Sequence, residues 1–135
     1  MFKCYMFSFK RPQTIGNDDY GGIDTVRGIF VVADEMGGRP GHARASRVAV
    51  GTFISKVASV DKEERLDPIV LHLAIPAAHR DVRVIPDEDP MLSGLGTTLS
   101  AVVVDRASGH VVHGGDAGRA FFETVDFRSS PWIIG

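Results

Sequence analysis

Hydrophobic and polar positions change rhythm several times along this chain. Cys4–Lys10, CYMFSFK, alternates and predicts a first strand. Ile29–Ala33, IFVVA, is an unbroken apolar run inside RGIFVVAD (Arg27–Asp34) and predicts a central strand. From about His42 the spacing lengthens. Ala45, Val48, Ala49, Phe53 and Val57 recur at three and four, the stripe of an amphipathic helix. Leu66–Ile85 reads as a second helix, with Asp67 as its cap and Pro68 in the tolerated first position. Pro76 falls inside it, where a proline removes a helical hydrogen bond at a cost of ~3 kcal/mol.

Polar and glycine-rich stretches separate these runs. Arg11–Gly22 is a loop with a short strand near Tyr20. Gly37, Gly38, Pro40 and Gly41 break the chain after the central strand. Ser59–Arg65 is a solvated connection, and Pro86–Gly94 is a loop. Gly96–Asp105 is a strand rich in β-branched residues. A turn at RASG and strands at His110–Asp116 and Arg119–Val125 follow. Strands, then helices, then a run of strands predict an antiparallel α+β sandwich rather than a doubly wound parallel sheet.

Composition narrows the function classes. A chain of 135 residues suits a single domain, and 44% hydrophobic with 24% charged residues suits a packed core. A formal net charge of −2 gives no basic surface for a nucleic-acid backbone, so no nucleic-acid partner is expected. No run approaches the ~18 apolar residues of a membrane helix, so no membrane partner is expected either. MFKCYMFSF is interrupted by Lys10 and Arg11 and reads as a strand rather than a signal peptide. A single cysteine, Cys4, points to a reducing, cytoplasmic setting and to a structural thiol.

The candidate chemistry lies in acids at strand ends beside glycines. Asp34 closes the central strand ahead of Gly37 and Gly38. Asp18 and Asp19 sit in GNDDYGG, and Asp116 follows Gly114 and Gly115. Carboxylates on rigid elements, next to backbone without side chains, suit hard cations such as magnesium or manganese. Taken singly, an aspartate beside glycine is more often a turn residue bonding its own backbone. The histidines show no ligand spacing, and the glycine pairs lack the lysine of a phosphate-binding loop.

Taken in order, GNDDYGG, FVVADEMGGRPGHARAS, GLGTTLSAVVV and HVVHGGDAGRAFF resemble the metal-dependent protein phosphatases of type 2C, especially bacterial ones. The likeness runs from about Tyr5 to Phe122. It implies a partial αββα four-layer sandwich of antiparallel sheets with a helix pair. It also implies a single partial domain over 1–135 with the C-terminal half absent. The implied cofactors are two ions of Mg2+ or Mn2+. Asp34 matches the aspartate that bridges them, Asp19 the final acid of the family's Asn-Glu-Asp, and Asp18 replaces its glutamate. Glu35 stands where the family has a glycine whose carbonyl binds metal. Asp34, Asp19 and Arg11 are the catalytic candidates, although Thr14 rather than Arg11 occupies the family's arginine offset. Thr97 and Thr98 match a threonine pair and read as architectural. Asp116 reads as structural.

The implied activity is a protein serine/threonine phosphatase whose substrate is a phosphoserine or phosphothreonine protein. Two metal ions ~3.5–4 Å apart would share and acidify a water, with no covalent enzyme intermediate. The alternative is a non-catalytic, degenerate phosphatase module that binds a phosphoprotein or another partner. Missing strands would leave a sheet edge exposed for self-association.

Overall fold

The computed structural model describes residues 3–9, 19–34, 42–105, 107, 110–116 and 123–126. Its strands are β1 (Tyr20–Asp24), β2 (Ile29–Ala33), β3 (Leu99–Asp105), β4 (His110–Asp116) and β5 (Glu123–Asp126). They form a sheet in the order β1-β2-β3-β4-β5 in which each neighbouring pair is antiparallel. Between β2 and β3 come helices α1 (His42–Ala58), α2 (Pro68–Arg83) and the short α3 (Ile85–Glu88), then a 3-10 turn at Pro90–Leu92. The α+β class and the helix pair stand as predicted. The described residues supply one sheet and one helix layer of the four-layer arrangement.

The sheet is two-faced because β2 and β3 place alternate residues on each side. Ile29, Val31 and Ala33 of β2 and Leu99, Ala101 and Val103 of β3 point to the helices and are buried. The register sets Val31 opposite Ala101 and Ile29 opposite Val103, so both strands present the same layer to the core. Phe53, Val50 and Val57 of α1 and Leu71 and Ala74 of α2 fill the space above. The predicted α1 stripe is buried or half-buried throughout. Val50 and Ile54 widen it, because α1 packs against α2 as well as against β1 and β2.

The helix ends follow their sequence signals. The Asp67 side chain accepts a hydrogen bond from the Ile69 N–H (2.9 Å) and caps α2, with Pro68 in its first turn. Pro76 is accommodated inside α2 on its exposed side. Arg65 closes the other end of the connection, its guanidinium donating to the Val57 carbonyl (3.3 Å) and the Val60 carbonyl (2.8 Å) beyond α1. Thr52 of α1 donates to Asp81 of α2 (2.8 Å), and Arg44 pairs with Glu88 of α3.

Some predicted boundaries move. Residues 3–9, within the stretch predicted as a first strand, form no strand and are exposed. Their alternation gives two unlike faces but no partner ladder among the described residues. The loop predicted at Pro86–Gly94 contains α3 and the 3-10 turn, because Pro86 and Pro90 begin short helical turns here rather than only breaking the chain. Among the described residues no helix is long and apolar enough to cross a membrane.

Candidate metal site at the end of the central strands

β2 and β3 carry the site. Their ladder does not stop at Ala33. The Thr98 N–H donates to the Asp34 carbonyl (2.8 Å), one hydrogen-bonded pair beyond Val32 and Ser100. The Thr98 hydroxyl then accepts from the Asp34 N–H (3.2 Å) and donates to the Asp34 carbonyl (3.3 Å). The Thr97 hydroxyl also reaches that carbonyl (2.9 Å), as well as the Thr98 carbonyl (3.0 Å). Asp34 is thus fixed through its main chain, and its side chain is left at the exposed end of the sheet.

Asp34 has the same parity as Val32, so it belongs to the face turned away from the helices. β1 brings a second acid to that place. Tyr20 pairs with Ala33, and continuing this register by one residue sets Asp19 opposite Asp34. Side chains directly opposite in an antiparallel pair have Cβ atoms about 4.5–5.5 Å apart. Asp19 and Asp34 accordingly line one cleft of about 470 Å³, together with Gly21, Val32 and Thr98.

The cleft has a further wall that the sequence gives no sign of. Met6 lies over Gly21 so closely that a Cβ there would run into its Sδ and come 2.7 Å from its Cε. Met6, Phe7 and Ser8 therefore border the cleft from the N-terminal side. On the opposite face of β1 the Arg47 guanidinium stacks on the Tyr20 ring at 4.8 Å, tying α1 to the strand beside the acids.

Asp18, Glu35 and Arg11 lie outside the described residues, as do Gly37 and Gly38. Asp116 ends β4 opposite Leu99, at the same end of the sheet as Asp34. His72 and His79 are exposed on α2. Asp19 and Asp34 offer the hard oxygen donors that a magnesium or manganese ion takes. They fit such an ion as part of its shell, since no group of three or more possible ligands gathers among the described residues. A larger cleft of about 610 Å³ lies at the other end of the sheet, but its arginines are engaged. Arg27 pairs with Asp24 and Arg65 caps α1.

Comparison with solved structures identifies the architecture. The serine/threonine phosphatase PstP/Ppp of Mycobacterium tuberculosis superposes with a TM-score of 0.62 at 20% identity, over 83% of this chain and 49% of that one. The PPM Ser-Thr phosphatase MsPP of Mycobacterium smegmatis, solved with cacodylate, gives 0.56 at 28% identity, over 85% and 49%. This chain carries part of a PPM phosphatase fold. The PstP catalytic domain in complex with two manganese ions gives 0.57 at 24% identity, over 83% of this chain and 50% of that one. The chain therefore spans about half the length of the PPM structures it resembles. No protein-family model and no curated protein matches the sequence.

Proposed function

We propose that the chain belongs to a metal-dependent protein serine/threonine phosphatase and supplies the aspartate end of its metal site. The placement of Asp19 and Asp34 in one cleft, each one residue beyond the Tyr20–Ala33 pair that ends the β1–β2 ladder, carries the reading. The PPM-like fold and the two manganese ions of a similar catalytic domain support it. Asp19 and Asp34 would hold magnesium or manganese, with Asp18 and the Glu35 carbonyl as further donors. When bound, the metal supplies an acidified water and neutralises charge on a phosphate ester. The carboxylates bind and orient, and the Thr97–Thr98 lead-in to β3 keeps Asp34 in place. Arg11 is the candidate for gripping the phosphate of a phosphoserine or phosphothreonine protein.

A second reading, a non-catalytic module that binds a phosphoprotein or partner, has its own support. Glu35 and Thr14 stand where the family the sequence resembles has a metal-binding glycine and a phosphate-gripping arginine. Hydrolysis of an aryl phosphate with Mn2+, in the parent and in Asp34→Asn, separates the two. Turnover that needs Mn2+ and falls by two orders of magnitude or more in the variant supports the enzyme, a loss typical of removing a charge-stabilising group. An inactive parent that still binds Mn2+ or a phosphopeptide supports the module.

A further inference from the structure

We propose that Thr97 and Thr98 are positioning residues, whose hydroxyls set the Asp34 carboxylate for a divalent cation. The inference rests on the reading of Asp34 as a metal ligand and gives the threonine pair a role beyond architecture. An antiparallel ladder would ordinarily send the Asp34 N–H to a backbone carbonyl. Here it goes to the Thr98 hydroxyl (3.2 Å). That hydroxyl returns a bond to the Asp34 carbonyl, which also accepts from the Thr98 N–H and the Thr97 hydroxyl. Both polar main-chain groups of Asp34 are therefore held by the two residues that lead into β3.

Two consequences follow for a cation. Three donors converge on the Asp34 carbonyl, so that oxygen is committed and the side-chain carboxylate is what remains to ligate. With its main chain pinned, Asp34 has only its side-chain torsions to settle on binding, which lowers the ordering cost. Thr98 also lines the cleft itself, together with both acids. Partners hydrogen-bonded to a ligating group itself change metal affinity by about 10–100-fold when removed, and hydroxyls that hold the main chain of the ligand belong at the lower end of that range.

Thr98→Val removes the hydroxyl and keeps the branched shape, whereas Thr98→Ser keeps the hydroxyl. Mn2+ affinity, measured by calorimetry on the full chain, should fall about 10-fold or more in Thr98→Val. Thr98→Ser should remain near the parent. Urea unfolding of each variant reports whether the fold is retained. Should Thr98→Val fail to fold, Thr97→Val carries the test, since it removes one donor to the carbonyl and leaves the Thr98 N–H bond intact. Parent-like Mn2+ affinity in the folded threonine-to-valine variant, with binding lost in Asp34→Asn, would overturn this inference alone. A parent that takes up no Mn2+, or an Asp34→Asn variant that binds as the parent does, would overturn the metal-ligand reading and the positioning role with it.

Discussion

Asp24 shows how one residue fixes the hairpin on which the site depends. It accepts from the Arg27 N–H and from the Arg27 guanidinium, both at 2.9 Å, and closes the turn between β1 and β2. Gly28 completes that turn with φ 70°, a conformation that suits glycine. Burial alone would raise the Asp24 carboxyl. The hydrogen bonds and charge of Arg27, with a further bond from the Val26 main chain, outweigh it and lower the pKa below the ordinary 3.8. A carboxyl depressed in the folded state contributes stability that is complete above its unfolded value and lost as pH falls through the folded one. The turn should therefore weaken below about pH 3.8, and carboxyl titration followed by NMR should place Asp24 below that value. Arg27→Ala should move its midpoint upward, and an unmoved midpoint would refute the assignment of cause. At this scale the sequence announces acids by type and by neighbouring glycines. It does not announce that Thr98 answers Asp34, because that depends on the register of strands 64 positions apart.

Among the elements, β1 and α1 meet where a side chain is missing. A Cβ on Gly22 would run into Ile54 Cδ1 and come 2.5 Å from Val50 Cγ1. Gly22→Ala by itself would stabilise the strand by about 0.5–1 kcal/mol, since glycine loses more freedom on folding. Overpacking against α1 costs about 1–3 kcal/mol and outweighs that gain. The variant should lower the urea midpoint, and Ile54→Val in the same chain should recover part of the loss, because residues in contact do not add independently. A midpoint at or above the parent's would show that α1 yields without cost. The helices were the most legible elements, since the period of Ala45, Ala49, Phe53 and Val57 comes from the same burial that the fold shows. The strand predicted over Cys4–Lys10 fails for the complementary reason. Alternation records unlike faces, and Tyr5, Phe7 and Phe9 stay exposed while Met6 meets Gly21. Asp19 and Asp34 were legible only as two motifs, and the hairpin that ends at the Tyr20–Ala33 pair brings them to one cleft.

For the molecule as a whole, the informative fact is the second face of the sheet. The unbroken apolar run of β2 predicts a strand covered on both sides, yet the helices cover one. The other carries Gly21 and Ile23 of β1, Phe30 and Val32 of β2, and Ser100, Val102 and Val104 of β3, without a charged residue at these strand positions. Val32 is 54% exposed and Ile23 40%. At about 25 cal/mol per Å² of apolar surface removed from water, covering the apolar part of this face is favourable, with Asp19 and Asp34 confined to one end of it. The chain of 135 residues taken alone should therefore self-associate as its concentration rises, and through this face more than through the β1 edge. Sedimentation velocity across a concentration series measures it. Val32→Lys places a charge at the centre of the face without touching the core side of β2, so it should shift the chain toward monomer while its thermal unfolding changes little. Thr25→Lys, in the turn at the end of β1, is the control that should leave association as it was. If Val32→Lys leaves the association unchanged, the face is not the contact, and the apolar character of β2 must then be read as a property of the strand alone.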